Sequence, residues 1–257
     1  MKVTVCQLND EAALLKKDWD RLVTHVKREA SELVVLPEMP FYAWVAGTAK
    51  VDPAVWEASM QAHDQWITRF RELTLATIAG TRPVLRDGKR LNEGFIWNPE
   101  GGYRAVHHKY YLPDEKHFWE ASWYDRGTCS FAPVQIGKVK VGMLICTELW
   151  FMEHARAYAN DGVHLLICPR ATPVTSSDKW IVGGRTAAVV SGAFCLSSNR
   201  GHSEKPETHW GGCGWIVEPE EGNILGITSP DAPFLSVDID LKVAEGAKRT
   251  YPRYVKD

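Results

Sequence analysis

Three apolar runs each stop at one residue able to do chemistry. Leu33-Val34-Val35-Leu36-Pro37 ends at Glu38, Ala105-Val106-His107-His108 ends at Lys109, and Val141-Gly142-Met143-Leu144-Ile145 ends at Cys146. A carboxylate, an ammonium and a thiol are the parts of nucleophilic acyl transfer. The sulfur attacks, the cation holds the oxyanion, and the carboxylate moves the proton. If each run is a buried strand, the three side chains stand just past strand ends, where open α/β sheets form their binding crevices. Cys146 also precedes a predicted helix opening at Thr147-Glu148-Leu149-Trp150. The positive end of that helix, with an ammonium nearby, would favour thiolate. The backbone N–H of Thr147 would join Lys109 in an oxyanion hole, and Glu38 suits the proton shuttle if partial burial raises its pKa.

Positioning these groups takes alternating strands and helices. Residues 2–8 read as a strand, and Leu15, Trp19, Leu22 and Val26, spaced by four, three and four, predict a helix over about 11–30. A strand over 33–37 follows. Trp56, Met60, His63, Ile67 and Phe70 then mark one side of a second helix, before a strand near 74–80. Strands at 93–98, 103–109, 131–136 and 139–145 come next, with Asp87-Gly88 and Glu100-Gly101-Gly102 as turns. The remainder reads as helix 150–160, strand 163–168, helix 178–191, strand 193–198, and strands near 213–218, 224–228 and 233–238. The expected class is α/β: two mainly β layers with helices outside, a sandwich. No linker or compositional break divides the 257 residues, so a single domain over 1–257 is expected. The stretch from Lys109 to Phe131 lacks periodicity but is dense in aromatics and charge, the mark of a functional loop rather than a disordered one.

Composition narrows the partners. A net charge of −2 offers no general attraction for nucleic acid or acidic lipid, which leaves small neutral or zwitterionic molecules. No run approaches the roughly 18–20 apolar residues of a membrane span, and Met1-Lys2-Val3-Thr4-Val5-Cys6 reads as a strand rather than a secretory signal, so a cytoplasmic protein is expected. The six cysteines are scattered without a Cys-x-x-Cys pair, poor spacing for zinc or disulfides. His107-His108 and Glu153-His154 lack the His-Glu-x-x-His spacing, so no metal is expected. A Gly-x-Ser-x-Gly elbow is missing too, which argues against a serine hydrolase. Taken singly, Cys146 reads as a buried structural thiol, Glu38 as a turn carboxylate and Lys109 as a surface lysine. Their joint order reverses that reading.

That order resembles the nitrilase superfamily, the carbon–nitrogen hydrolases, with its Glu-Lys-Cys triad. The matching residues are Pro37-Glu38, His108-Lys109 followed by Leu112-Pro113, and Gly142-Met143-Leu144-Ile145-Cys146. They continue through Trp150-Phe151 with Glu153, Arg185, Asn199-Arg200 and Gly211-Gly212. The resemblance implies a four-layer αββα fold, a homodimer or higher homo-oligomer, no cofactor, and a second glutamate that orients substrate or Lys109. Phe118-Trp119-Glu120 matches that motif, with Glu115 as the other candidate. True nitrilases show Cys-Trp-Glu and a longer C-terminal extension, whereas this chain has Cys146-Thr147-Glu148 and ends soon after its last strand. An amidase acting on a small carboxamide or N-carbamoyl compound through a thioester is therefore the leading expectation. Nitrile hydrolysis and a catalytically silent interaction module are the alternatives, and a metal-dependent phosphoesterase would need acid and His clusters at the strand ends. Tyr42 and Trp44 beyond Glu38, Tyr111 in the long loop and Trp150 beyond the cysteine are expected to wall the pocket. Arg170, at another predicted strand end, reads either as the binder of a substrate carboxylate or as half of a structural ion pair.

Overall fold

The computed structural model describes residues 1–201 and 210–255. Its first half runs β1 (Lys2–Leu8), α1 (Ala12–Glu29), β2 (Leu33–Val35), α2 (Pro53–Thr68), β3 (Thr77–Arg86), β4 (Lys89–Asn98) and β5 (Gly102–His108). The second half runs α3 (Glu120–Trp123), β6 (Val134–Ile136), β7 (Val139–Met143), α4 (Met152–Asn160), β8 (Leu165–Pro169), α5 (Ser177–Ser191) and β9 (Phe194–Arg200). It closes with β10 (Trp215–Val217), β11 (Ile224–Ile227), β12 (Phe234–Asp238) and α6 (Leu241–Ala247). The strands follow the order β5-β4-β3-β2-β1-β9-β8-β7-β6, with β12 antiparallel on β1 and β10 antiparallel on β9. Parallel pairing links β1, β2 and β3, and separately β7, β8 and β9.

β1 explains how one mixed sheet becomes two layers. Along Lys2–Cys6 its free side is taken by β12, and only Gln7 and Leu8 pair with Asn199 and Arg200 of β9. The halves are thus hinged at one corner and fold face to face. Strand alternation then sorts the side chains. Val3, Val5, Leu33, Val35 and Ile96 pack in one core with Met143, Leu165, Ile167 and Leu196 of the other half. Val34, Leu36, Ile78 and Phe95 point the other way, onto Leu15, Trp19, Leu22 and Val26 of α1. Burying each of those four helix side chains is worth about 1.5–3 kcal/mol, which fixes α1 on the sheet. Ala155 and Tyr158 of α4 with Ala187 and Ala188 of α5 cover the outside of the second half. The architecture is an α/β sandwich with helices on both outer faces.

The element boundaries differ from the sequence reading where local chemistry intervenes. β2 stops at Val35: the Leu36 amide still donates to the Ala79 carbonyl at 2.8 Å, but Pro37 has no N–H to continue the ladder. β3 starts at Thr77 rather than near 74, because a 3₁₀ turn over Arg69–Leu73 closes at Thr74 with φ +63°. It then runs to a tight hairpin at Asp87-Gly88, both at positive φ. The helix expected from 150 is split into a 3₁₀ turn over Cys146–Trp150 and α4 from Met152. The short α3 and the terminal α6 carry no periodic signal strong enough to predict them.

Candidate active site

The ends of β2, β5 and β7 converge, and the three singled-out residues come with them. Glu38 lies three residues beyond β2 and is fully buried. Its amide donates to the Arg170 carbonyl at 3.1 Å, which ties it to the end of β8. Glu38 Oε1 accepts Lys109 Nζ at 2.8 Å and Asn92 Nδ2 at 2.8 Å, while Oε2 has no hydrogen-bond partner among the described residues. Lys109, directly after β5, is fully buried as well, and Nζ also donates to Glu120 Oε2 at 2.5 Å. Its backbone amide donates to the Asn92 carbonyl at 2.9 Å, so Asn92 on β4 holds both partners in register. Sequence reasoning gave no hint of Asn92.

Glu120 opens α3 and is buried. The structure brings Glu120, and not Glu115, to Lys109: Glu115 is exposed at the cavity rim, in a turn closed by backbone bonds with Phe118. Burial pushes the Glu120 carboxyl up to about 7, against the opposing pull of Lys109 and with help from the Glu38 charge. Burial alone would lower the Lys109 pKa, but the Glu120 and Glu38 charges outweigh it and raise it, so the side chain stays an ammonium.

Cys146 sits at the turn leaving β7 with φ +48°, a left-handed conformation that non-glycine residues seldom adopt and that marks a functional turn. Its side chain feels the charges of Glu38, Lys109 and Glu120. Burial, then the Glu38 charge, pushes the thiol well above its ordinary range, and Lys109 only partly offsets this. The helix end and the ammonium that the sequence read as favouring thiolate are thus outweighed. The turn after the cysteine is a five-residue 3₁₀ segment rather than an α-helix, and desolvation of the anion dominates. Such a thiol needs a base at the moment of attack, and the open Oε2 of Glu38 is an acceptor of the right kind.

A cavity of about 580 Å³ reaches this turn. Cys146, Thr147 and Glu120 line it together with Tyr111, Phe118 and Trp150, and Arg126 and Lys179 stand on its wall. Tyr111 and Trp150 are thus where the sequence placed them. Tyr42 and Trp44 are not. They border a separate recess with Val55 and Trp123. The chain turns away at Met39, φ +43°, and buried Arg200 donates to the carbonyls of Met39 at 2.5 Å and Tyr42 at 3.0 Å. Trp44 supports the cavity only from behind, against Phe118, with its Nε1 donating to the His117 carbonyl at 3.1 Å.

Arg170 is likewise corrected from a ligand to a framework residue. It is buried, and its guanidinium donates to Ser197 Oγ at 2.7 Å, to Thr172 Oγ1 at 2.7 Å and to the Cys213 carbonyl, with the Trp215 ring 3.8 Å away. Asn199 has a similar supporting role: its amide exchanges hydrogen bonds with the Thr172 backbone at 2.9 and 3.0 Å, fixing a cavity-lining segment.

Comparison with known proteins places the chain in a family and matches its fold. The carbon–nitrogen hydrolase family model matches residues 2–249. An omega-amidase of Mus musculus is 27% identical over 237 residues, spanning 90% of this chain and 84% of its own length. The crystal structure of a carbon–nitrogen hydrolase from Helicobacter pylori G27 superposes with a TM-score of 0.85 at 21% identity, covering 99% of this chain and 94% of the other. An amidase from Nesterenkonia sp. AN1 superposes with a TM-score of 0.78 at 18% identity, covering 95% and 92%. In that mutant protein, the acetamide moiety of fluoroacetamide is covalently added to the active-site cysteine.

Proposed function

This chain belongs to the carbon–nitrogen hydrolase family, and from that premise we propose that it hydrolyses a small carboxamide or N-carbamoyl compound by way of a thioester on Cys146. One observation carries the reading. A buried ammonium lies between two buried carboxylates, at 2.8 and 2.5 Å, beside a cavity-lining thiol in a strained turn.

The proposed sequence uses the same groups in both half-reactions. Glu38 Oε2 takes the thiol proton as Sγ bonds to the amide carbon and the carbonyl π electrons move to oxygen. Lys109 Nζ and the Thr147 N–H hold that oxyanion. Collapse re-forms the carbonyl and breaks the C–N bond, and the departing nitrogen takes the proton from Glu38. Water then attacks the thioester, giving its proton to Glu38. The second collapse releases the acid, and the proton returns to sulfur. Glu120 orients Lys109 and stays outside the proton cycle. The volume and the aromatic lining of Tyr111, Phe118 and Trp150 suit a substrate of modest size with an apolar body.

The test is ammonia or amine release from a panel of aliphatic and N-carbamoyl amides, each paired with its matching nitrile. The reading predicts release from at least one amide and its loss in Cys146→Ala. Release from nitriles alone, or turnover that survives Cys146→Ala, would overturn it.

A further inference from the structure

Glu148 lies two residues beyond the cysteine, is fully buried, and takes no part in the sequence of steps above. Its carboxylate nevertheless collects three donors. Oε1 accepts the Tyr110 backbone N–H at 2.7 Å, while Oε2 accepts the Ile145 backbone N–H at 2.8 Å and lies 2.8 Å from His107 Nε2. Tyr110 is the residue directly after Lys109, and Ile145 the one directly before Cys146. One side chain therefore spans the two loops that carry the ammonium and the thiol. The Glu148 backbone N–H also donates to the Ile145 carbonyl at 3.1 Å, so the positive-φ turn at Cys146 is closed from both sides by the same residue.

His107 completes the arrangement. Its Nδ1 faces the Ser130 carbonyl at 3.1 Å, an oxygen that can only accept. Nδ1 therefore donates there, and Nε2 is turned onto the carboxylate. Both side chains are almost wholly enclosed, with the Phe131 ring 4.8 Å from the imidazole. A buried carboxylate with three donors in place is rigid, and removing a donor leaves an uncompensated acceptor. A strained turn persists only where its surroundings over-determine it.

We infer that Glu148, held by His107, is a positioning residue that sets the separation and orientation of Cys146 relative to Lys109. The inference rests on the reading of those two as the reacting pair. It extends that reading to a carboxylate that never touches substrate. Glutamine in place of Glu148 presents an amide N–H₂ to at least one of the donors and so breaks the span while nearly conserving volume.

The experiment uses Glu148→Gln, His107→Leu and His107→Gln in the full chain, with three readouts: melting temperature, kcat and KM on the best amide, and the rate of iodoacetamide alkylation at Cys146 followed by peptide mass spectrometry. Displacement on the ångström scale predicts that Glu148→Gln lowers kcat and Cys146 alkylation together, on the order of 100-fold, with KM within about two-fold. His107→Leu gives the same pattern in smaller measure, and His107→Gln, which restores an N–H donor, recovers most of it. Folded Glu148→Gln with both rates within about two-fold of the wild type overturns the inference. If Glu148→Gln does not fold, equal rates in His107→Leu and the wild type overturn it. Failure of all three variants to fold also overturns it, since the pair would then be purely structural. Alkylation requires no amide turnover, so a wild type that hydrolyses nothing would refute the proposed function and still leave this ratio to be measured.

Discussion

Replacing Lys109 by methionine keeps most of the side-chain volume and deletes the charge shared by two buried carboxylates. At pH 6 Glu120 still holds its proton, its pKa being about 7, so the ion pair that is lost is the one with Glu38. Breaking a buried pair costs about 3–5 kcal/mol, against a typical total stability of about 5–15 kcal/mol. The pH dependence follows from Glu120. In the wild type, native Glu120 keeps a proton that the unfolded chain gives up near the ordinary value of 4.5. Its contribution to stability is therefore fully present below that value, falls as pH rises through about 7, and is level above. Without Lys109 the pull toward ionisation is gone, the native proton is retained further up the scale, and the fall continues past pH 7 at about 1.4 kcal/mol per pH unit. Between pH 7 and 8.5 the variant should lose about 2 kcal/mol more than the wild type. Urea denaturation at pH 6 and 8.5, followed by the fluorescence of the 11 tryptophans, measures both quantities. Adding Glu120→Gln to the variant should remove the extra pH dependence. A loss under about 1 kcal/mol at pH 6, or a loss equal at both pH values, would refute the reasoning.

Three further outcomes are expected. Because the resting thiol is neutral and needs a base, Glu38→Gln should lower kcat by about 10²–10⁴ in protein that circular dichroism shows folded, and should lose stability as Lys109→Met does, since it breaks the same pair. Gly142→Ala would place a methyl 2.6 Å from the Tyr158 ring, whose hydroxyl bonds both backbone groups of Met143, and should cost about 1–3 kcal/mol in denaturant melts. Tyr111→Ala should raise KM, whereas Tyr42→Ala should leave KM unchanged, since only the first of these tyrosines borders the cavity.

Much of this was legible because burial writes periodicity into the chain. The spacing of Leu15, Trp19, Leu22 and Val26 identifies α1 and the face it buries, and the apolar runs before Glu38, Lys109 and Cys146 mark three strands whose ends meet. What the sequence hides is side-chain direction and long-range pairing. Tyr42 and Trp44 follow Glu38 closely in sequence, but the left-handed turn at Met39 aims them elsewhere. Arg170 does leave a strand end, yet its guanidinium runs back onto Trp215 and neutral oxygens. Asn92 reaches Glu38 across 54 residues and His107 reaches Glu148 across 41, and no local pattern announces either contact. What sets the ionisation of Cys146 is hidden for a related reason. Sequence suggests a helix end and a cation, whereas the degree of burial that overrides both exists only in the folded chain.

The most direct measurement is the intact mass of the protein, quenched within the first turnovers on its best amide. The account predicts a transient species heavier by the acyl group alone, mapped to the Cys146 peptide and absent from Cys146→Ala. Substrate consumed with no such species in wild type or in a slowed Glu120→Ala variant, or an acyl group found on another residue, would contradict it.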